Sequence, residues 1–162
     1  MKPINVSVQV DRPRAEVFAF LDVLANHEPF TDHMLVDWTL DGPAAGVGAR
    51  ARLRANVPGP KDWADMEVVA SEPPERIVEE AVGAAGRRRT RGTYTLAELP
   101  GGGTDIHFEL AYLEAPGFER LAAPVLRAWL QRANAKAMRR LGAVLADPAT
   151  SSTAAARDRP AG

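Results

Sequence analysis

Cysteine is absent from the 162-residue sequence, and this absence removes several kinds of site at once. Disulfide frameworks, zinc–thiolate sites, iron–sulfur clusters and cysteine nucleophiles are all excluded. A chain without disulfides fits a reducing compartment, so we expect a cytoplasmic protein. The first residues contain no apolar segment of the kind that signal peptides carry, and we expect no secretion signal.

An excess of charge of either sign is also lacking. The sequence has 20 Lys and Arg residues against 21 Asp and Glu residues, for a formal net charge of −1. Proteins that bind nucleic acid usually carry a basic excess that neutralises phosphates, so we expect no nucleic-acid partner. No apolar run approaches the roughly 18 residues of a membrane span, so no integral membrane segment is expected. Length and a hydrophobic content of 46% are typical of one globular domain.

Alternation of polar and apolar residues predicts strands along much of the chain. Residues 4–10 alternate strictly, as a half-buried strand does. Similar stretches, separated by turns rich in glycine or proline, lie at about 34–41, 47–57, 64–68, 88–99 and 104–114. Residues 75–83 also fit a strand, but their inward face is ambiguous, so the direction of Glu79 stays open.

Helical spacing occurs near both ends of the sequence. Asp11 and Pro13 provide a capping acid and a first-turn proline, and the helix that follows ends near Asn26. From Gly117 to about Ala146 a longer helix is predicted by apolar residues at mostly four-residue steps. These residues are Leu121, Val125, Trp129, Ala133, Ala137, Leu141 and Leu145.

Two features limit the long helix. Pro124 lies within it and should kink it or split off its first turn. The residues from Asp147 onward are small and polar and include proline, so we expect a disordered tail at 147–162.

The order of elements predicts an α+β protein in which a curved antiparallel sheet of about seven strands wraps around a long C-terminal helix. The segments 11–18, 20–21, 26–27, 46–50, 73–76 and 92–96 stand in the order and spacing of a known superfamily. Through them the chain resembles the START-like, or SRPBCC, proteins of helix-grip (Bet v 1-like) fold, and most closely the polyketide cyclase/dehydrase-like and coenzyme-Q-binding-like members. We assign residues 1–146 to one such domain.

The resemblance implies an apolar cavity between the sheet and the terminal helix. The predicted inward faces fit such a cavity, because small residues such as Ala49, Ala55 and Gly92 stand among large ones. Large and small residues also alternate in an ordinary packed core, so the pattern alone does not separate the two. The predicted ligand-binding residues are Trp38, Ala51, Leu53, Met66, Tyr94, Phe108, Tyr112 and Trp129.

Few side chains are candidates for catalysis, and no catalytic residue is assigned. His27, His33 and His107 lack the spacing of metal ligands, and we expect surface histidines and no metal site. No Asp, Glu or His faces inward on the clearly predicted strands. The two inward tyrosines remain as candidate acids or bases, together with Glu79 if its strand turns that way.

Charged runs have two interpretations. The run Arg87–Arg91 has the composition of a site for an anion, a membrane surface or nucleic acid, but pairing with glutamates at 72, 75, 79 and 80 is the favoured explanation. Arginines at 50, 52 and 54 are likewise expected to pair with Asp65 and Glu67. Trp63 either covers the cavity mouth or caps the outer face of the sheet.

The predicted function is binding of a small hydrophobic ligand, such as a polyketide- or lipid-like metabolite. The alternative is a polyketide cyclase or dehydratase that acts in the same cavity, which leaves open whether the protein is an enzyme. A third interpretation, a protein–protein module like the chaperone-activator relatives of this fold, requires an exposed apolar patch, and the polar outer faces give it little support. No cofactor is expected, and a monomer and a homodimer are equally compatible with the sequence.

Overall fold

A single antiparallel sheet of seven strands organises the computed structural model, which describes residues 1–58 and 61–150. The strands are β1 (Ile4–Val10), β2 (Leu35–Asp41), β3 (Arg50–Ala55), β4 (Asp62–Glu72), β5 (Arg76–Gly83), β6 (Arg88–Glu98) and β7 (Thr104–Glu114). Their order across the sheet is β1-β7-β6-β5-β4-β3-β2. Strands β2 to β7 therefore form consecutive hairpins, and β1 pairs with the last of them.

Helical segments cover one face of this sheet. They are α1 (Arg14–Leu21), a single 3-10 turn (Leu24–Asn26), α2 (Glu28–Thr31), α3 (Gly117–Leu121) and α4 (Ala123–Ala146). The first three connect the two edge strands β1 and β2, and α4 packs against β1 and α2. None of the helices within the described part of the chain is long and apolar enough to cross a membrane.

This architecture confirms the predicted α+β helix-grip fold of seven curved strands and a long C-terminal helix. Of the two outcomes predicted for Pro124, a kink or a separate first turn, the structure shows the separate first turn. Helix α3 ends at Leu121 and α4 begins at Ala123, with Pro124 in its first turn. Proline is tolerated there because the first amides of a helix have no carbonyl partner within it.

The predicted buried face of the long helix is correct only in its second half. Ala133, Ala137, Leu141 and Leu145 are buried as predicted, but Leu121 is 89% exposed and Val125 is 72% exposed. Residues four apart on a helix of 3.6 residues per turn advance by about 40° per step, so a strict four-residue series leaves the buried face. The structure instead buries a mixed three- and four-residue series that also contains Leu126, Leu130, Asn134 and Met138.

A bulge in β2 changes which of its residues face the core. The pairing with β3 shifts between Val36 and Thr39, and Asp37 has a positive φ of 58°. The alternation predicted for residues 34–41 therefore breaks, and Leu40, which unbroken alternation would place on the same face as Trp38, is 50% exposed. Leu35 and Trp38, which straddle the bulge, both reach the interior.

The charges on the outer face of the sheet form ion pairs between strands. Arg50 binds Asp41 at 2.9 Å, and Arg52 lies 3.4 Å from Asp65. Arg91 binds Glu80, with its Nε 3.0 Å from Oε1. The predicted partners are thus confirmed for Arg52 and Arg91, whereas Arg50 and Arg54 pair with Asp41 and Asp37 of β2 instead of the predicted Asp65 and Glu67. Separately, the guanidinium groups of Arg52 and Arg54 lie 5.4 and 5.9 Å from the ring centre of Trp63, which therefore caps the outer face.

The chain after α4 differs from the disordered tail expected from residue 147 onward. Residues 147–150 form a helical turn, in which the amide of Thr150 donates to the carbonyl of Asp147 at 3.1 Å. Arg12 also donates to that carbonyl, at 2.9 Å. The expectation of disorder is wrong for these four residues. The remainder of the predicted tail, and residues 59–60 of the predicted turn before β4, lie outside the described residues.

Two truncations on the terminal helices test the corrected buried face. Leu141 is fully buried, so Leu141→Ala is expected to lower the free energy of unfolding by about 2–5 kcal/mol. Leu121→Ala is the matched control and should change it by less than about 0.5 kcal/mol. Urea denaturation followed by circular dichroism measures both. A larger loss for Leu121→Ala than for Leu141→Ala would contradict this assignment.

Candidate functional site

The interior between the sheet and α4 contains a cavity of about 130 Å³. Its wall is mostly apolar and comes from the inner face of β2 to β7, from the segment around α2, and from α4. The apolar residues at the wall include Phe30, Met34, Leu35, Trp38, Leu53, Ala55, Ala64, Met66, Phe108, Leu110, Leu130, Ala137 and Met138. An apolar wall with a few polar groups is the usual form of a site for a small molecule.

The structure brings six of the eight predicted ligand-binding residues to the wall of this cavity. They are Trp38, Leu53, Met66, Tyr94, Phe108 and Tyr112. Ala51 and Trp129 do not reach it. Ala51 faces inward but is covered within the core, and Trp129 is half-buried on α4, one position ahead of the residue that reaches the wall, Leu130. Ligand binding by the six residues stays a prediction.

His27 is the first polar group of the wall, and its burial corrects the expectation of a surface histidine. Its side chain is 2% exposed. The 3-10 turn and α2 fold the chain back after α1, which brings Nε2 of the imidazole to 2.7 Å from the carbonyl oxygen of Leu21. The hydroxyl of Thr31 donates to the carbonyl of His27 at 2.7 Å and holds the backbone of this turn. No helical or strand period extends through residues 27–33, so alternation carried no signal for this side chain.

The other two histidines do not contribute to the same site. Nε2 of His33 lies 2.9 Å from the carbonyl oxygen of Ala133, and Nδ1 of His107 contacts the hydroxyl of Ser7 on the outer sheet face. Among the described residues, no three side chains of His, Asp or Glu come together as metal ligands would.

Glu79 is the second polar group, and it faces inward from β5. It lies opposite Gly92 of β6, and its side chain is only 5% exposed. Ile77, Val78 and Glu79 are buried in succession, so the sequence of this strand shows no alternation from which its inward face is evident. Burial in an apolar wall raises the pKa of the Glu79 carboxyl, and the neighbouring His27 acts in the opposite direction with a smaller effect.

His27 and Glu79 face each other inside the cavity wall. Nδ1 of His27 lies 3.3 Å from Oε1 of Glu79, and that oxygen makes no aligned hydrogen bond. Because a carbonyl oxygen only accepts hydrogen bonds, the bond to Leu21 places a hydrogen on Nε2 of His27. One further proton between Nδ1 and Oε1 then leaves the pair neutral overall. A neutral pair costs less free energy to bury than a pair with a net charge.

Aromatic rings surround this pair. The ring centre of His27 lies 5.3 Å from that of Phe30 and 5.8 Å from that of Tyr94, and Tyr94 lies 4.6 Å from Phe108. Burial, with a further contribution from the Glu79 charge, raises the pKa of Tyr94 well above its ordinary value, so its hydroxyl stays protonated. Gly92 leaves room for this arrangement, because a Cβ there would meet the Phe108 ring at 3.0 Å.

A separate polar cluster lies where α3 meets the sheet. Arg88 contributes to the cavity wall, and its Nε donates to both carboxylate oxygens of the buried Glu119 at 2.9 and 3.1 Å. Asp62 lies 3.5 Å from the same guanidinium. Burial and the Glu119 charge raise the pKa of the neighbouring Tyr112 to about 12. Arg88 and Glu119 thus hold α3 to the sheet as an internal ion pair.

A pH series on Glu79→Gln tests the raised pKa of this carboxyl. The folded protein holds the Glu79 proton to a higher pH than the unfolded chain, whose ordinary value is 4.5. The stability that this group contributes is therefore fully present below about pH 4.5 and is lost as the pH rises through the folded pKa. We expect wild type to lose stability relative to Glu79→Gln over that range, by about 1.4 kcal/mol for each unit of pKa elevation.

Urea denaturation at several pH values between 4.5 and 8 measures this difference. Glu67→Gln, which removes an exposed carboxyl from the outer face of β4, controls for the loss of one carboxyl group. A difference between wild type and Glu79→Gln that is independent of pH would contradict the raised pKa.

Comparison with known proteins identifies the family of the chain. Its fold is similar to that of TTHA0849 from Thermus thermophilus, with 18% identity, coverage of 89% of this chain and 97% of that chain, and a TM-score of 0.69. DynU16, a putative protein in the dynemicin biosynthetic locus, shares 20% identity over 90% of this chain and 47% of its own, with a TM-score of 0.60. Ara h 8.0201 shares 10% identity over 89% of this chain and 97% of its own, with a TM-score of 0.61.

Among curated proteins, none matches the sequence. The family described as "Polyketide cyclase / dehydrase and lipid transport" matches residues 1–146. The match covers the whole sheet, the polar groups of the cavity wall and helix α4. The chain therefore belongs to the polyketide cyclase/dehydrase and lipid transport family.

Proposed function

We propose that this protein binds a small hydrophobic molecule in the cavity between the sheet and α4. The observation that carries the proposal is the mostly apolar wall of this cavity, to which six of the residues predicted for ligand binding contribute. Removing apolar surface from water stabilises such a complex by roughly 25 cal/mol per Å². The cytoplasmic location expected from the cysteine-free sequence belongs to the same proposal.

The size of the cavity favours a compact ligand. An engineered cavity of about 150 Å³ lined by apolar side chains binds benzene. A cavity of about 130 Å³ is of similar size and suits a ring or a short branched chain. A long acyl chain would have to displace packed side chains. The cavity size therefore favours a polyketide-like ring system over a long-chain lipid.

Turnover of a polyketide in the same cavity, by a cyclase or dehydratase, is the second candidate function. Buried Glu79 and His27 favour it, because they place an acid and a base at the wall where a bound molecule would lie. A carrier protein has no need of this pair, and an apolar pair of similar volume would avoid the burial of two ionisable groups.

Filling the cavity tests the binding proposal. Ala137 lies on α4 at the cavity wall, so the ring of Ala137→Phe would occupy space that a ligand needs. We expect at least a tenfold loss of affinity, with destabilisation of about 1–3 kcal/mol from overpacking. Ala128→Phe places the same ring on the exposed side of the same helix and should bind as wild type does.

Native mass spectrometry of protein purified from its own host, followed by denaturing extraction, identifies a copurifying ligand. The affinities of the variants for that molecule are then compared by calorimetry, or, for an empty protein, by thermal shift with a panel of one- and two-ring ketones and phenols. Equal binding by Ala137→Phe and wild type would place the ligand elsewhere. If no compact apolar molecule copurifies and none of the panel raises the melting temperature, the binding proposal fails.

A further inference from the structure

We infer that this protein docks on an anionic lipid surface through the outward face of α4 and of the short helix α3 that precedes it. This inference goes beyond the proposed binding of a ligand, because it concerns the side of α4 that points away from the cavity. Docking of this kind places a helix at the boundary between headgroups and acyl chains and needs no membrane-spanning segment.

The charges of α4 are all of one sign. Its 24 residues include four arginines and one lysine but neither Asp nor Glu. The chain as a whole has a formal net charge of −1, so these cations reflect a separation of charge within the molecule. A basic amphipathic helix is typical of proteins that bind an anionic surface.

The exposed residues of α4 lie on one line along its outward face. Between positions 125 and 143 they recur at steps of three or four residues, which keeps them on one side of the helix, opposite the buried residues. This line, the α4 ridge, is apolar where the helix begins and basic along its middle. The residues of the α4 ridge are Val125, Ala128, Arg132, Lys136, Arg139 and Ala143.

The apolar end of the α4 ridge continues into α3. Leu121 is 89% exposed, Val125 is 72% exposed and Phe118 of α3 is 49% exposed. Exposed apolar side chains that cluster at one helix junction mark a surface that meets another apolar phase. Helices at a membrane surface insert such side chains between the headgroups and the acyl chains. Arg120, between Phe118 and Leu121 in the sequence, adds a cation at this end.

The basic part of the α4 ridge is available to a partner. Arg140, at the side of the ridge, forms an ion pair with Asp32. Within residues 1–58 and 61–150, by contrast, Arg132, Lys136 and Arg139 form no ion pair. Asp11 lines the same groove as Arg139 without pairing with it. These three cations can therefore bind lipid phosphates without breaking an internal contact.

An anionic bilayer fits the whole surface better than other anionic partners do. A nucleic acid would pair with the cations through its phosphates but would leave Leu121 and Val125 in water. A second copy of the chain would present the same cations, because α4 contains no acid to match them. A bilayer accommodates both parts of the ridge, the apolar side chains among its acyl chains and the cations among its phosphates.

Cosedimentation with lipid vesicles tests the docking. We expect wild type to bind vesicles of phosphatidylcholine that contain about 30% phosphatidylglycerol, and to bind pure phosphatidylcholine much more weakly. Raising the NaCl concentration from about 50 mM to about 500 mM should weaken the binding, because salt screens the attraction between exposed charges.

The basic part of the ridge is tested by the combined variant Arg132→Gln, Lys136→Gln and Arg139→Gln. Each cation near an anionic surface contributes about fivefold to affinity, so we expect a loss on the order of 100-fold for the anionic vesicles. If the combined variant does not fold in a thermal unfolding measurement, Arg132→Gln alone carries the test, with an expected loss of about fivefold.

A control of equal charge comes from the outer face of the sheet. The combined variant Arg50→Gln, Arg52→Gln and Arg91→Gln also removes three positive charges, but from side chains that lie away from α4. It should bind the anionic vesicles as wild type does. An equal loss of binding in the two combined variants would show that net charge alone is responsible, and would contradict docking through the α4 ridge.

The apolar part is tested by the combined variant Leu121→Gln and Val125→Gln. Without the inserted side chains we expect at least a tenfold loss of affinity for the anionic vesicles, and the remaining binding should depend more steeply on salt. Leu40→Gln changes an exposed leucine of β2 and is the matched control, which should bind as wild type does.

The cavity-filling variant Ala137→Phe distinguishes failure of this inference from failure of the proposed function, and it should dock on vesicles as wild type does. Absence of binding by wild type to the anionic vesicles at low salt overturns the inference and leaves ligand binding in the cavity standing. Equal binding by wild type and the variant that lacks the three ridge cations also overturns it. If wild type binds single-stranded RNA and not the vesicles, the ridge serves a nucleic acid and the lipid assignment is wrong.

Discussion

The packing of α4 against the inner face of the sheet is the constraint on which the rest of the structure depends. A curved sheet of seven strands has an apolar concave face, and α4 covers it with residues such as Leu130, Ala137 and Leu141. Because small residues at the wall leave space that the large ones do not fill, the covered face contains a cavity as well as a core. The connection between the edge strands closes one end of that cavity with α2.

That closure explains how the molecule holds an ionisable pair in an apolar interior. His27 enters the wall because the turn after α1 is short, the Thr31 hydroxyl donates to the backbone carbonyl of His27, and the imidazole donates to the Leu21 carbonyl. Glu79 enters from the opposite side, at a position where Gly92 leaves the neighbouring strand without a side chain. Each group alone would be costly to bury, and together they form a neutral unit when they share one proton.

The charged residues fall into two classes with different physical roles. Arginines on the outer face, such as Arg50 and Arg91, form exposed pairs that contribute little to stability because solvent screens them. Arg88 points to the inner side, and its bidentate contact with the buried Glu119 ties α3 to the sheet beside the cavity. Arg88 and Arg91 belong to the same arginine run but lie on opposite faces of the sheet. Successive side chains of a strand alternate between its two faces.

Most of the fold is predictable from the sequence, because a sheet strand and a helix leave periods of two and 3.6 residues in the chain. The strict alternation in β1 and β7 predicted both strands, and Pro124 predicted the break before α4. Six of the predicted ligand-binding residues reach one cavity for the same reason: they stand at inward positions of regular strands or, for Trp38, beside a bulge.

The contact between His27 and Glu79 depends on the tertiary structure alone. Because β5 buries three residues in succession, its local pattern left the direction of Glu79 open. Residues 27–33 have no period, and the expectation of a surface position for His27 was wrong. Their meeting depends on how far the chain folds back after α1 and on the register that sets Glu79 opposite Gly92. The volume of the cavity likewise depends on the curvature of the sheet and the position of α4. These are contacts between residues far apart in the chain, and periodicity within a short segment contains no information about them.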